Sequence, residues 1–358
     1  MYCKKLLCEN YRNIENASVS LSSGVNVFYG DNAQGKTNLL EAIYYFACGK
    51  SFRGARDREL ISFDREGAYI ALDFEDRDRE RHHEVRFSRL SRRECFKEAI
   101  KTARMSEFVG SFRAVLFSPE HLSIVKDGPA ERRLFEDIAI SQLYPAYMSS
   151  LTRYQKLLSE RNALLKEPET FSFRGMLTVL SEQLAKEAAF ISEHRRRYTE
   201  RLSLITSEIV SEMTEGREKI SIEYPCFRTE EEYRELLTSN VEKEIRASGT
   251  LYGIHKDDMP ISLNGSDTRV YASQGQQRSI ALAMKLSEGE ISKQVTGEYP
   301  VFLLDDILSE LDRSRKEYIL SGFEGRQVII TCCEEIPELK QAASVFRVKK
   351  GECSRISS

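Results

Sequence analysis

Gly30-Asp31-Asn32-Ala33-Gln34-Gly35-Lys36-Thr37 is the stretch on which the fold turns. It fits the pattern G-x-x-x-x-G-K-[ST], in which glycines let a loop curl until its backbone N–H groups point inward at phosphate oxygens. In such a loop Lys36 reaches the β- and γ-phosphates of a nucleotide, and Thr37 offers its hydroxyl to Mg²⁺. The flanks agree. Val25-Asn26-Val27-Phe28-Tyr29 reads as a strand and Lys36 to Cys48 as a helix, so the loop joins strand to helix as this chemistry requires. The expected ligands are ATP and Mg²⁺, with Asp31, Asn32, Ala33 and Gln34 completing the cradle between Gly30 and Gly35.

Two distant segments supply what the loop lacks. Val301-Phe302-Leu303-Leu304-Asp305-Asp306 is an apolar strand ending in two carboxylates. A buried parallel strand would deliver Asp305 beside the loop as the second Mg²⁺ partner, leaving Asp306 to orient or activate the attacking water. Tyr271-Ala272-Ser273-Gln274-Gly275-Gln276-Gln277-Arg278-Ser279 opens a helical run, Ile280 to Ile291. Ser273 and Gly275 then sit at a helix N-terminus, where free donors and the positive end of the dipole favour an anion. A second phosphate-seeking element is redundant within one site. It makes sense facing the γ-phosphate held by another copy, in an ATP-dependent homodimer with two-fold symmetry.

Outward from these motifs the chain changes character twice. From Met1 to about Val125 it alternates short β-like runs with turns, among them Lys5 to Cys8, Ala68 to Leu72 and Ala114 to Phe117. From about Pro129 it becomes charged, amphipathic helix. Leu143, Tyr147, Leu151, Tyr154, Leu158 and Leu165 step by threes and fours, as do Leu177, Leu180, Leu184, Ala188, Ile191, Tyr198, Leu202, Ile205 and Ile209. A break at Glu167-Pro168-Glu169 and a stop at Gly216 predict an antiparallel hairpin. Arg161 and Arg195 interrupt its stripes, so a short arm is expected rather than a long regular coiled coil. Thr229-Glu230-Glu231-Glu232 has capping-box spacing and predicts a helix to about Ala247, ended by Gly249. The expected division is a head segment over 1–128, an inserted helical arm over 129–250 and a second head segment over 251–358.

Composition sets the bounds. The chain has 358 residues, 53 Lys+Arg against 56 Asp+Glu and a formal net charge of −3, so no overall positive field draws it to nucleic acid. No window holds the ~20 apolar residues of a membrane span, and Met1-Tyr2-Cys3-Lys4-Lys5 leads into a strand-like run; a cytoplasmic protein without a membrane partner is expected. The 8 cysteines show no C-x-x-C and no paired spacing, which argues against zinc and disulfides.

Taken together, the loop, the Ser273 to Gln277 element, the Leu303-Leu304-Asp305-Asp306 strand and Ser309-Glu310-Leu311-Asp312 resemble the ABC-type ATPase heads of the SMC and Rad50 class. Within that class the chain is similar to the RecF family of bacterial replication and recombinational-repair proteins. The narrower likeness rests on Asn10-Tyr11-Arg12-Asn13, Thr37 to Ile43, Ser51-Phe52-Arg53, Ser118-Pro119-Glu120, Gly128-Pro129-Ala130-Glu131-Arg132-Arg133, Gly253-Ile254-His255-Lys256-Asp257-Asp258 and Leu303 to Asp312. The resemblance implies an α/β head of the P-loop ABC type, assembled from both ends of the chain around a coiled-coil-like insertion. It makes Asp306, Lys36 and Ser273 the catalytic set, Thr37 and Asp305 the Mg²⁺ partners, and Ser273 and Gly275 the signature that completes the partner's site. It also places Asp312 at the dimer seam and Arg12 beside the nucleotide. It further implies ATP-driven clamping of duplex DNA at gaps or single-strand/double-strand junctions, release on slow DNA-stimulated hydrolysis, and assistance to RecR and RecO in loading RecA. Ala33 stands where the family often has glycine, which the loop tolerates if φ there is negative. Two rival functions are disfavoured by counting. A transporter subunit needs a short path from Lys36 to Ser273, and a Rad50- or SMC-like tether needs far longer arms.

For DNA itself the local candidate is Arg77 to Arg104, with ten Lys/Arg against five Asp/Glu; within it Arg89, Arg92 and Arg93 are the expected phosphate contacts. His194-Arg195-Arg196-Arg197 on the arm is a second candidate.

Overall fold

The computed structural model describes residues 1–167, 172–333 and 343–356. In chain order the elements are β1 (Tyr2–Tyr11), β2 (Ile14–Ser20), β3 (Val25–Tyr29), α1 (Lys36–Cys48), β4 (Gly67–Glu75), β5 (Glu80–Ser88), β6 (Glu94–Lys97), β7 (Ile100–Lys101), α2 (Met105–Phe108) and β8 (Ala114–Phe117). Then follow α3 (Ser123–Lys126), α4 (Pro129–Leu143), α5 (Pro145–Leu165), α6 (Phe173–Met213), β9 (Ile220–Ile222), α7 (Glu230–Ser239), α8 (Val241–Ala247), β10 (Ile261–Leu263), β11 (Ser266–Asp267), α9 (Thr268–Tyr271) and α10 (Gln274–Thr296). The chain closes with β12 (Val301–Asp305), α11 (Arg313–Ser321), β13 (Val328–Cys332), β14 (Ala343–Lys349) and β15 (Glu352–Arg355). Two compact units result, residues 1–122 with 281–358, and residues 123–280.

The first unit is α/β. One sheet, ordered β2-β1-β4-β5-β6-β7, is antiparallel, and the other is ordered β15-β14-β3-β13-β12-β8. In the second sheet β14, β3, β13, β12 and β8 run parallel, and β15 is an antiparallel edge. Helix α1 touches strands of both sheets, which explains its composition: every residue from Leu39 to Cys48 is buried. A helix apolar on all sides is one with no solvent face. Strands β12 and β13 are buried along their whole length, as parallel central strands must be.

The second unit is mostly helical. Helices α5 and α6 run antiparallel, since Ser150 and Arg153 meet Glu187 while Arg161, further along α5, meets Ser181, earlier on α6. The arginines that break the apolar stripes do not mark surface. Arg161 is fully buried; its Nη2 donates to Glu244 Oε2 at 2.6 Å, its Nη1 to Thr250 Oγ1 at 2.8 Å and its Nε to Ser181 Oγ at 3.0 Å. Arg195 is likewise buried and donates to Asp137 Oδ1 and the Ile254 carbonyl, both at 2.9 Å. Burial works against its charge, yet Tyr147, Asp137 and Glu136 outweigh it and hold the guanidinium well above its ordinary value. Arg195 is therefore not available to a DNA backbone, which removes it from the second DNA candidate; its more exposed neighbours Arg196 and Arg197 pair with Glu193.

The capping box at Thr229 is present in both directions, but the helix it starts ends at Ser239 and a separate one begins at Val241. Asn240 takes the break, and Ser248 in the left-handed region, not Gly249, closes the second helix. Of the predicted arm break, Pro168 and Glu169 lie outside the described residues. Two motif segments also meet in this unit: Arg132 forms a bidentate pair with Asp258, and Arg133 donates to the Asp257 carbonyl. No described helix is long and apolar enough to cross a membrane.

Candidate nucleotide-binding site

The site begins where β3 stops. Parallel pairing aligns Thr331 on β13 with Phe28 on β3 and with Asp305 on β12, so three adjacent strands end together at the loop. The loop follows Tyr29, and Gly35, at φ 112°, forms the N-cap of α1. Lys36 is 6% exposed, and its Nζ donates to the carbonyls of Gly30 at 2.6 Å and Asp31 at 2.8 Å. That curls the loop around its own lysine. Cys333 lies 3.5 Å from Lys36 Nζ and donates through sulfur to Asn32 Oδ1 at 2.8 Å.

Thr37 and Asp305 come together as the motifs require. The threonine hydroxyl donates to Asp305 Oδ1 at 2.8 Å, and Thr331 donates to the same oxygen at 2.7 Å. Burial pushes the Asp305 carboxyl above its ordinary value, and the two hydroxyls only partly oppose it. Thr331 was not singled out in the sequence. Its signal there is a lone hydroxyl in the apolar run Val328–Cys332, in register with Asp305. A hydroxyl beside a carboxylate is a hard-oxygen donor set that suits Mg²⁺ shared with phosphates. Among the described residues no group of three or more His, Cys, Asp or Glu could hold a metal unaided, so phosphate oxygens would have to complete such a site.

Asp306 leaves the strand in the left-handed region at φ 51°, a conformation that Asp tolerates better than most residues. Its N–H donates to Thr331 Oγ1 at 3.0 Å, and its carbonyl accepts from the Ser309 hydroxyl at 2.8 Å. Arg12 is placed by Glu41, a fully buried acid on α1 that accepts two hydrogen bonds from Arg12, at 3.0 and 2.9 Å, and one from Ser51 at 2.5 Å. Arg53 donates to the same carboxylate at 2.7 Å. Burial raises Glu41, but the hydrogen bonds from Arg12, Arg53 and Ser51 outweigh it and hold its carboxyl below the usual carboxylate range. Glu41 was also missed; the only hint was a charge inside an otherwise apolar helix.

Ser273 and Gly275 belong to the second unit. Ser273 and Gln276 exchange hydrogen bonds, N–H of each to the side chain of the other at 2.8 and 3.3 Å, a capping box that leaves Ser273 exposed at the start of α10. Asp312 is the N-cap of α11, accepting from the Arg315 N–H at 2.9 Å.

Ala33 departs from expectation. Its φ is +63°, a left-handed conformation costing an alanine ~1–2 kcal/mol. Asn13 holds it there through Nδ2 to the Ala33 carbonyl at 3.2 Å. Ala33→Gly should stabilise the first unit by ~1 kcal/mol, because glycine adopts this φ freely. The expected result is a higher urea midpoint with an unchanged slope, and a lower midpoint would contradict it.

Residues 2–356 match the family model described as RecF/RecN/SMC N terminal domain. The chain is also 41% identical over 359 residues to the DNA replication and repair protein RecF of Clostridium perfringens (strain SM101 / Type A), covering 98% of this chain and 99% of that one. The chain belongs to the RecF family. A solved RecF, the recombination mediator protein RecF-ATPrS in the RecFOR pathway, superposes with a TM-score of 0.93 at 36% identity, covering 99% of this chain and 98% of that one. The RecF fold is in turn that of the SMC head: the SmcHead bound to the C-winged helix domain of ScpA aligns with a TM-score of 0.59 at 16% identity, covering 100% and 98% of the two chains.

Proposed function

We infer that the chain is an ATPase of DNA replication and recombinational repair, in which ATP joins two copies on duplex DNA and hydrolysis releases them. The observation that carries this reading is the meeting of Thr37 and Asp305 at 2.8 Å beside the phosphate-binding loop, with Asp306 next in the chain. Lys36 and the loop N–H groups bind the phosphates, Thr37 and Asp305 hold Mg²⁺, and Asp306 orients the attacking water and accepts its proton. Mg²⁺, when bound, neutralises charge on the transferred phosphoryl group. Ser273 and Gly275 contact the γ-phosphate across a two-fold dimer, and Asp312 lies near that seam. The relatives' names, which speak of replication, repair and the RecFOR pathway, support a role with RecO and RecR in replication and repair; action at gaps and junctions, and loading of RecA, belong to the same proposal.

The DNA surface proposed here is narrower than the strip in the sequence. Four of its ten cations are spent internally: Arg79 on Glu98, Arg81 on Asp76, Arg86 on Glu84 and Lys101 on Glu94. Arg93 grips both oxygens of Asp57 at 2.8 and 2.7 Å, and Arg89 donates to the carbonyls of Arg65 and Ser62. These two shape the surface rather than sit free on it. Beside them lies a cleft of about 780 Å³ whose rim carries Arg56, Arg58, Arg92 and Arg104, all exposed and, among the described residues, with no carboxylate paired to their guanidinium groups. Unpaired arginine forks are the groups that bind phosphate. Replacing these four by alanine should weaken duplex binding alike for all sequences and flatten the plot of log K against log salt by up to ~3–4. Fluorescence anisotropy at four salt concentrations measures this. An unchanged slope would place the DNA elsewhere.

A further inference from the structure

The phosphate-binding loop is gripped from outside by the turn at the end of the chain. Strand β14 runs parallel to β3 with Arg347 paired to Tyr29, the last residue before the loop. It then continues past the end of β3. The Val348 carbonyl comes so close to Gly30 that a Cβ on that residue would run into it. Lys350 and Gly351, between β14 and β15, lie directly on the loop. The Lys350 N–H donates to Gln34 Oε1 at 2.7 Å, and the Gly351 N–H donates to the Gln34 carbonyl at 2.9 Å. Gln34 thus turns both its oxygens outward to the turn.

A second brace comes from the β1–β2 turn. Asn13 donates to the Ala33 carbonyl at 3.2 Å and accepts from Asn38 Nδ2 at 2.7 Å, bridging the loop to the first turn of α1. The two braces touch each other. Gly351, at φ 82°, packs so tightly on the Asn13 carbonyl that a Cβ there would clash with it. Gly351 is therefore required twice over, by its left-handed backbone and by the approach of another chain segment. Gly30, Ala33 and Gln34 are thus each held by a backbone or amide group of a neighbouring segment.

We propose that the β14–β15 turn, with Asn13, is a positioning element that sets ATP affinity by holding the phosphate-binding loop in its binding shape before nucleotide arrives. A loop ordered in advance loses less freedom on binding, so anything that pulls this C-terminal hairpin away weakens ATP without touching it. The proposal rests on the nucleotide-site reading above. Gly351 acts through its contacts with Gln34 and Asn13.

The test compares wild type, Gly351→Ala and Gln34→Met as full-length proteins. Gln34→Met removes the acceptor for the Lys350 N–H without a steric clash, which keeps the test decisive if Gly351→Ala folds poorly. Gly351→Ala should raise the ATP KM about five- to tenfold and leave kcat within about twofold, and Gln34→Met should raise KM about threefold. In both, amide hydrogen exchange over residues 30–35 should speed up in nucleotide-free protein while the global Tm moves little. A general loss of stability would instead lower Tm and speed exchange throughout. Unchanged KM and unchanged loop exchange in both variants would overturn the clamp. Lys36→Ala separates the two claims: if it leaves ATP binding intact, the nucleotide-site reading fails, whereas if it abolishes binding and the hairpin variants do nothing, only the clamp fails.

Discussion

Asp306→Asn is expected to slow ATP hydrolysis by ~10²–10⁴-fold while leaving ATP binding in place. Asp305 is 8% exposed and its Oδ1 accepts from both Thr37 and Thr331, so its carboxylate is already held in the place proposed for a Mg²⁺ partner. Asp306 is half-buried, and within the described residues its carboxylate has only a contact at 3.5 Å from Ser309, so it is the acid free to meet water. The choice of asparagine matters. At φ 51° asparagine is tolerated as aspartate is, whereas alanine would add strain of ~1–2 kcal/mol and confuse a chemical loss with a structural one. Single-turnover hydrolysis and equilibrium binding of a fluorescent ATP analogue separate the two steps. Wild-type hydrolysis in the asparagine variant would remove Asp306 from its proposed role.

Arg161→Ala should destabilise the second unit by ~3–5 kcal/mol. Removing the guanidinium leaves Glu244, itself fully buried, as an unpaired charge, and it also strips partners from Ser181, Thr250 and the Leu237 carbonyl. Helices α5, α6, α7 and α8 are tied together by that one side chain. Replacing both charges, Arg161→Met with Glu244→Leu, should recover much of the loss, because the desolvation of two ions disappears together. Urea unfolding followed by far-UV circular dichroism measures this. A loss below ~1 kcal/mol for Arg161→Ala would mean that Glu244 finds water or another partner.

These cases show how far the sequence could be read. Helix α1 is found at Lys36–Cys48, where the loop motif and the apolar run place it, because both signals are local. Asp305 could be paired with Thr37 because a buried strand ending in acid has few uses next to a phosphate loop. Arg161 and Arg195, by contrast, look like interruptions in an apolar stripe, and only folding reveals their partners Glu244 and Asp137. Glu41, Thr331 and the Lys350-Gly351 turn escaped for the same reason: each acts through a contact made by tertiary structure, with no motif to announce it. The positive φ of Ala33 escaped because the residue type argued against it. The basic strip misled in part, since counting charges along a hairpin does not show that acids on the same sheet, such as Glu84, Glu94 and Glu98, pair with Arg86, Lys101 and Arg79.

ATP, held by this loop, is proposed to join two copies of the chain on DNA. Sedimentation velocity of the full-length protein with labelled duplex, with and without ATP and Mg²⁺, tests it most directly. The expected result is a monomer without nucleotide, and with ATP a dimer that carries the duplex with it, lost in Ser273→Arg although that variant still binds ATP. A protein that sediments as a monomer at saturating ATP, with the duplex left behind, would contradict it.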